Sequence, residues 1–155
     1  MIPRLATPWE RERVVRLPAR TLAYVGDSVF ELCLRLWHVA ERSDPAGKLH
    51  ESVVGLVCAD RQSELFERVF PTVSEEEQVL LKNWRNAKMP SRHGGGSRGA
   101  YARATAFEAW IGYLYLTGQS ERLEQTVALV HTTPEPAAAA PSYVVRPVRK
   151  GEDEK

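Results

Sequence analysis

The chain has 155 residues, 43% hydrophobic and 26% charged, with a formal net charge of +1, which indicates one ordinary globular domain and excludes a low-complexity or highly charged chain. No run approaches the roughly 18 apolar residues of a membrane span, and the charged, proline-broken N-terminus lacks the apolar core of a signal peptide, so we expect a soluble, cytoplasmic protein. The two cysteines, Cys33 and Cys58, lie in apolar helical patterns and are expected to be buried free thiols rather than a disulfide or a metal pair.

Helical periodicity runs along most of the chain, and no segment shows the alternation of a strand. The spacing predicts helices over residues 19–40, two within 48–69, and further helices over 75–87, 101–116 and 120–131. Pro71 ends the helices before it, and Ser74 with Glu77 three residues later has the pattern of a capping box. Gly118 is a C-terminal stop, and Ser120 is expected to cap the last helix.

Two segments do not fit the helical pattern. Residues 89–99, MPSRHGGGSRG, are expected to form a flexible loop. From Thr132 onward four prolines, four consecutive alanines and a charged end favour a disordered tail. The sequence therefore predicts an all-α domain over residues 1–131 and a tail over residues 132–155.

The first predicted helix contains LAYVGDSVFE and carries an aspartate among apolar residues. Two apolar stripes lie on it at helical spacing, one formed by Leu22, Val25, Val29, Leu32 and Leu36 and the other by Tyr24, Phe30 and Leu34. A helix that is apolar nearly all round is expected to be buried nearly all round. Asp27 lies in the second stripe, where a carboxylate costs free energy unless a partner binds it.

A second apolar helix repeats this feature. Glu108 is the only charged residue of AFEAWIGYLYL, and Ala104 and Gly112, one turn on either side, leave space for another helix or a ligand. If the two helices pack together, Asp27 and Glu108 could converge. Hard oxygen ligands arranged in this way suit Mg²⁺, which keeps several waters and takes only one or two protein carboxylates.

The two acids also have a simpler interpretation, because a lone acid in an apolar helix is more often paired with an arginine or placed at a packing edge. Glu31, one turn beyond Asp27, is open to several roles. It could support the acidic site, contact a second copy of the chain, or pair with Arg35 at the favoured four-residue spacing.

Between residues 82 and 103 the chain is basic and contains no acid. The six cations are Lys82, Arg85, Lys88, Arg92, Arg98 and Arg103. Asn86 adds a hydrogen-bonding side chain, and Lys48 could extend the same surface. Such side chains can follow a phosphate backbone, although an ordinary solvated loop is the alternative. We predict that the segment binds a polyanion.

The segments LAYVGDSVFEL, KLHESV, WRNAK and TAFEAWIGYLYLTGQSERL, in this order, resemble the Mini-III ribonucleases. These are compact relatives of ribonuclease III that lack a double-stranded RNA-binding domain. The similarity covers about residues 17–130. It implies an all-helical homodimer that cleaves double-stranded RNA with Mg²⁺ and trims the ends of precursor 23S ribosomal RNA, leaving 5′-phosphates.

The resemblance makes Asp27 the catalytic aspartate and Glu108 the metal-binding glutamate, so both are expected to hold Mg²⁺ and take part in catalysis. Larger ribonuclease III enzymes carry two further acids, whose places are taken here by Ala23 and Thr105, as in Mini-III proteins. RNA-binding residues are expected to be Lys48, Arg85, Asn86, Lys88, Arg92, Arg98 and Arg103. The dimer interface is expected to include Tyr24, Phe30, Phe107 and Trp110.

The expected partners are double-stranded precursor ribosomal RNA, a second copy of the chain, and a ribosomal protein or pre-ribosomal particle, with no membrane. One alternative function is a non-catalytic helical dimer that holds structured RNA. A purely structural dimerisation module is a further alternative, but it leaves the acid-free basic segment unexplained.

Overall fold

The computed structural model describes residues 7–88 and 97–132, which form seven α-helices and two short 3₁₀ helices. The α-helices are α1 (Arg11–Val15), α2 (Ala19–Glu41), α3 (Ala46–Leu56), α4 (Ala59–Val69), α5 (Glu75–Arg85), α6 (Arg98–Leu116) and α7 (Ser120–Ala128). The 3₁₀ helices, Phe70–Thr72 and Leu129–Thr132, follow α4 and α7. No strand occurs in these two ranges, which confirms the all-α class. None of the helices found there is long and apolar enough to cross a membrane.

The helix α6 forms the centre of the domain, and 12 of its 19 residues are buried. Its main partner is α2, and α4, α5 and α7 pack around it as well. Because other helices cover it on several sides, its apolar residues are not restricted to one stripe. Its core side chains include Phe107, Trp110, Ile111 and Leu114, each at most 1% exposed.

This packing corrects the predicted dimer interface. Phe30, Phe107 and Trp110 lie in the core of the single chain, and the rings of Phe30 and Phe107 meet edge to face with centroids 5.2 Å apart. These three side chains cannot reach a partner, so assigning them to an interface was wrong. Of the four predicted interface residues, only Tyr24 is exposed, with 79% of its surface accessible.

The helix α2 is buried on one face only. Leu22, Val29, Phe30 and Leu34 lie in the core, drawn from both predicted stripes. The opposite face carries exposed apolar side chains: Tyr24, Leu32, Leu36 and Val39. The expectation that this helix is buried nearly all round was therefore wrong, because no described helix of the same chain covers that face.

The helix ends follow local hydrogen bonding. The capping box is present, since the Glu77 amide donates to Ser74 Oγ at 3.3 Å and the Ser74 amide donates to Glu77 Oε2 at 3.1 Å. Gly118 has a positive φ of 71°, as expected for a residue that stops a helix. Ser120 is the first residue of α7 rather than its cap, which is Gln119.

The structure describes only part of the two segments that were predicted to be irregular. Residues 89–96 lie outside the described residues, and the last part of the predicted loop belongs to α6, which begins at Arg98. Ser97 caps this helix by accepting a hydrogen bond from the Ala100 amide at 3.1 Å. Thr132 closes the last 3₁₀ helix, and the rest of the predicted tail lies outside the described residues.

The two cysteines differ in environment. Cys33 is buried in the core, and this burial raises the pKa of its thiol to about 11. Cys58 is exposed at the N-cap of α4, so the expectation that both are buried was wrong for Cys58, which lies between α3 and α4. Both thiols are free.

Candidate active site

Asp27 on α2 and Glu108 on α6 line the same surface cleft, which has a volume of about 210 Å³. The remaining lining residues are Arg20, Ala23, Tyr24, Tyr101 and Thr105. Asp27 is exposed at the cleft, whereas Glu108 is half-buried. The two embedded acids that the sequence singles out are therefore brought together by the packing of α2 on α6.

Two glycines determine how closely these helices approach. A Cβ atom on Gly26 would lie 1.7 Å from the backbone oxygen of Glu108, and one on Gly112 would lie 2.3 Å from the backbone oxygen of Leu22. Both distances are far below any contact that real atoms make, so only glycine fits at either position. Since Gly26 precedes Asp27 and touches the backbone of Glu108, this contact also sets the spacing of the acids.

The environment of the cleft favours the neutral forms of both acids. Burial, together with the nearby charge of Asp27, raises the pKa of Glu108 to about 7, and the Gln62 side chain opposes part of this rise. Partial burial against the cleft also raises the pKa of Asp27, although much of the residue is exposed, and the charge of Glu31 adds to this effect. Acids with raised pKa values in a cleft are typical of catalytic and metal-binding sites.

Comparison with known proteins identifies the family. The ribonuclease III domain matches residues 20–119. Mini-ribonuclease 3 proteins from Thermoanaerobacter sp. (strain X514) and Clostridium tetani are 39% and 34% identical to the chain, covering 77% and 81% of it and 84% of each relative. The chain belongs to the ribonuclease III family. This membership, with the resemblance to Mini-III proteins confirmed, makes the chain an endoribonuclease of the ribonuclease III type.

A solved structure supports the same fold. The crystal structure of a protein from Fusobacterium nucleatum has a TM-score of 0.69 to this chain, with 26% sequence identity. The match covers 76% of this chain and 93% of that chain. The fold of that protein is therefore shared by most of this chain.

Within this ribonuclease III domain, Ala23 and Thr105 line the cleft beside the two acids. These are the positions where the resemblance places two further acids in larger ribonuclease III enzymes. The cleft consequently offers two carboxylates, and no cluster of three or more His, Cys, Asp or Glu side chains fit to hold a metal occurs in the described part of the chain.

This donor set still fits one Mg²⁺ ion. Neither Asp27 nor Glu108 forms an ion pair among the described residues, so both carboxylates are available to a cation. Mg²⁺ is usually bound by one or two carboxylates, with waters and substrate phosphates completing its shell. A divalent cation would also favour the ionised forms that burial disfavours.

Three neighbours of the acids did not emerge from the sequence pattern. Arg20 and Tyr101 line the cleft, and the buried Gln62 on α4 faces Glu108. The first two share a usable signal, because Arg20 lies seven residues before Asp27 and Tyr101 seven before Glu108, which is two helical turns on the same face. Gln62 gives no such signal, since it belongs to a third helix.

Glu31 pairs with Arg35, which is one of the roles that the sequence left open. The Arg35 Nε donates to Glu31 Oε1 at 2.9 Å, and a second nitrogen of the guanidinium also contacts this oxygen. That guanidinium further contacts the ring of His50 on α3. The Glu31–Arg35 pair therefore links α2 to α3.

The predicted RNA-binding residues occupy different positions in the structure. Asn86, Lys88, Arg98 and Lys48 are exposed, and Arg85 is half-buried, with its Nε donating to Asn86 Oδ1 at 3.3 Å. No ion pair holds any of these cations within the described ranges. Arg92 lies outside the described residues.

Arg103 differs from the other predicted RNA contacts. Its Nε donates to Ser63 Oγ at 2.7 Å and lies 3.3 Å from the Glu67 carboxylate, so the guanidinium connects α6 to α4. Two internal partners already engage this side chain, and about a third of it is exposed. We therefore expect Arg103 to contribute mainly to packing within the domain, and its contact with nucleic acid stays a prediction.

Proposed function

We propose that this chain is a Mg²⁺-dependent endoribonuclease that cleaves double-stranded RNA in the cleft between α2 and α6. The observation that carries the proposal is the convergence of Asp27 and Glu108 in that cleft. A module that only binds RNA has no need for two adjacent acids, because carboxylates repel phosphates. A cation between the acids and a phosphate removes this conflict.

The protein residues prepare this reaction in distinct ways. Asp27 and Glu108 would hold Mg²⁺ with one carboxylate from each helix, and the glycine contact fixes their spacing before substrate binds. Mg²⁺ bound there supplies Lewis-acid stabilisation of charge on phosphorus and activation of a water nucleophile. Cleavage of this type leaves a 5′-phosphate and a 3′-hydroxyl.

Arg20 and Tyr101 are suited to holding the strand that is cut. Both line the cleft with the acids, and Arg20 has no acidic partner among the described residues. A guanidinium can bind a phosphate in bidentate fashion, and a phenol can donate to a phosphate or a 2′-hydroxyl. These two side chains would therefore orient the scissile phosphate toward the acids.

The exposed cations provide the wider grip on the duplex. Lys48, Arg85, Lys88, Arg92 and Arg98, together with Asn86, are the candidates for phosphate and 2′-hydroxyl contacts. A-form RNA is recognised mainly through its backbone across the wide minor groove. In this proposal the catalytic domain supplies these contacts itself.

We further propose that two copies associate through the open face of α2, which we call the α2 apolar face: Tyr24, Leu32, Leu36 and Val39. These four are exposed by 79%, 41%, 42% and 67%. Several large exposed apolar side chains on one helix of a small domain favour burial against a partner. Tyr24 also lines the cleft, so this interface would place the two active sites close to the dimer axis.

The substrate that the resemblance favours is precursor 23S ribosomal RNA, cut near its paired ends, with a ribosomal protein or pre-ribosomal particle as a further partner. The relatives are named Mini-ribonuclease 3, which supports RNA as the substrate. The alternative function, a non-catalytic dimer that holds structured RNA, predicts binding without any cut.

An end-labelled RNA duplex separates these functions. The purified protein should cut the duplex with Mg²⁺, leave it intact with chelator, and spare the same strand when it is single-stranded. Ligation to the products should require their 5′-phosphate. Tight duplex binding with no cleavage at any Mg²⁺ concentration would favour the binding dimer.

A further inference from the structure

Gln62 is a buried amide in an unusual position. It lies on α4 and is 2% exposed, and its Nε2 has no hydrogen-bond partner in the described part of the chain. A buried donor without an acceptor costs free energy, which an apolar side chain of the same size would avoid. Such a group therefore suggests a role other than packing.

The Gln62 side chain interacts with the carboxyl of Glu108 and favours its ionised form. The Nε2 of this amide does not reach hydrogen-bond geometry with any acceptor among the described residues. For an ionised Glu108, only the Nε2 gives attraction, because it is a donor and the amide oxygen would repel a carboxylate. The donor is thus positioned to act when Glu108 is ionised.

The neighbouring contacts hold α4 in place behind the acid. Ser63 Oγ accepts from Arg103 Nε at 2.7 Å, and Glu67 on the next turn lies 3.3 Å from the same nitrogen. These contacts connect α4 to α6 five residues before Glu108. The backbone beside Gln62 is therefore held against the helix that carries Glu108.

We infer that Gln62 is a positioning residue whose amide N–H holds one oxygen of the Glu108 carboxylate, so that the other oxygen is directed toward the cation in the cleft. Hydrogen bonds from neighbouring side chains commonly orient carboxylates that bind metals. A neutral donor does this without adding charge beside Asp27. The orientation of Glu108 matters more here because the cleft contains only two acids, with Ala23 and Thr105 beside them. The inference rests on the proposed function.

The test replaces Gln62 by Met, which preserves the approximate volume and removes the donor. We expect the RNA-free Gln62→Met protein to bind Mn²⁺ about 10- to 100-fold more weakly, measured by electron paramagnetic resonance of the free ion. Cleavage should need correspondingly more Mg²⁺, with much of kcat recovered at saturating metal. The melting temperature should stay level or rise, since a buried unpaired amide has been removed.

Gln78→Met is the matched control. Gln78 donates from Nε2 to the Phe70 carbonyl at 3.1 Å and does not line the cleft, so its replacement should lower the melting temperature and leave Mn²⁺ affinity unchanged. Gln62→Leu provides a second donor-free side chain should the Met variant fail to fold. Wild-type Mn²⁺ affinity in whichever Gln62 variant folds would overturn the inference.

The experiment distinguishes failure of the role of Gln62 from failure of the proposed function. If Asp27→Asn and Glu108→Gln abolish Mn²⁺ binding while the Gln62 variants do not alter it, only the role of Gln62 is refuted. If all four variants bind Mn²⁺ and cleave RNA like the wild type, the cleft is not the metal site, and both proposals are wrong.

Discussion

Gly26 has no side chain because the backbone of α6 occupies the place where a Cβ would lie, 1.7 Å from the oxygen of Glu108. The same contact brings Asp27 beside Glu108, so packing and chemistry depend on one residue. The neighbouring Ala23 and Thr105 are also small enough to leave the cleft open. At this scale the site consists of two acids, one arginine and two tyrosines around a space left by small side chains.

Replacing Gly26 by Ala should separate α2 from α6. We expect a loss of about 2–4 kcal/mol in the free energy of unfolding, because a methyl group cannot displace backbone atoms without moving a helix. Cleavage should fall further than stability alone explains, since the acids move apart. Denaturant unfolding measures the first effect and duplex cleavage the second.

Gly55→Ala is the control for that substitution. Gly55 also lies in a helix, but nothing is within 4 Å of the place of its Cβ, so alanine should stabilise the protein by up to about 1 kcal/mol. Equal stability of the Gly26 and Gly55 variants would mean that the close crossing of the helices does not exist in solution.

Among the helices, α5 and α7 are joined by a forked ion pair. Arg122 on α7 donates to both oxygens of Glu77 on α5, at 2.6 Å and 2.9 Å, while its guanidinium lies over the Trp110 ring. These hydrogen bonds lower the pKa of Glu77 below its ordinary value of 4.5. The pair therefore contributes stability above the unfolded-state pKa, and this contribution is lost as the pH falls through the folded-state pKa.

Glu77→Gln should consequently destabilise the protein by about 1–2 kcal/mol near neutral pH, a modest value because Arg122 is partly solvated. The difference from wild type should shrink as the pH falls below 4.5, where the wild-type carboxylate becomes protonated. Urea unfolding across a pH series measures this. The control is Glu76→Gln, one residue earlier and largely exposed, which should show little effect at any pH. If the stability difference between Glu77→Gln and the wild type is the same at all pH values, the ionised Glu77–Arg122 pair is not its cause.

The segment from the end of α5 to the start of α6 is expected to determine the salt dependence of RNA binding. Replacing Arg85, Lys88 and Arg98 by Ala should reduce the slope of log affinity against log salt by up to about 0.9 for each lost phosphate contact. Duplex affinity over a salt series gives this slope. Arg103→Ala should instead lower stability with little change of slope, because its partners are Ser63 and Glu67. An unchanged slope in the triple variant would mean that RNA binds another face.

At the scale of the whole molecule, the sequence predicts the fold class and the convergence of Asp27 and Glu108 well but predicts exposure poorly. Periodicity locates α2 and the buried acid on α6, because both features depend on residues of one helix. It assigns Phe107 and Trp110 to an interface, since a helix apolar all round is compatible with burial inside one chain or between two. Gln62 could not be found, because its relation to Glu108 exists only after α4 packs against α6.

The α2 apolar face leads to a prediction for the assembled protein. The wild type should sediment as a dimer at micromolar concentration, and Leu36→Glu should shift it toward monomer, because a charge would be buried at the interface. Val79→Glu is the control, since Val79 is an exposed apolar residue on a different helix. If the wild-type protein sediments as a monomer, the proposal that it dimerises through the α2 apolar face is wrong.

The most direct test of the central claim is cleavage of an RNA duplex by Asp27→Asn, with duplex affinity measured in parallel. The variant keeps the shape of the side chain and removes the charge that a metal requires, so we expect cleavage to fall at least about a hundredfold while duplex affinity and the melting temperature stay near wild type. Asp44→Asn, an exposed acid outside the cleft, should cleave normally. Wild-type cleavage by a well-folded Asp27→Asn protein would show that the reaction does not take place between α2 and α6.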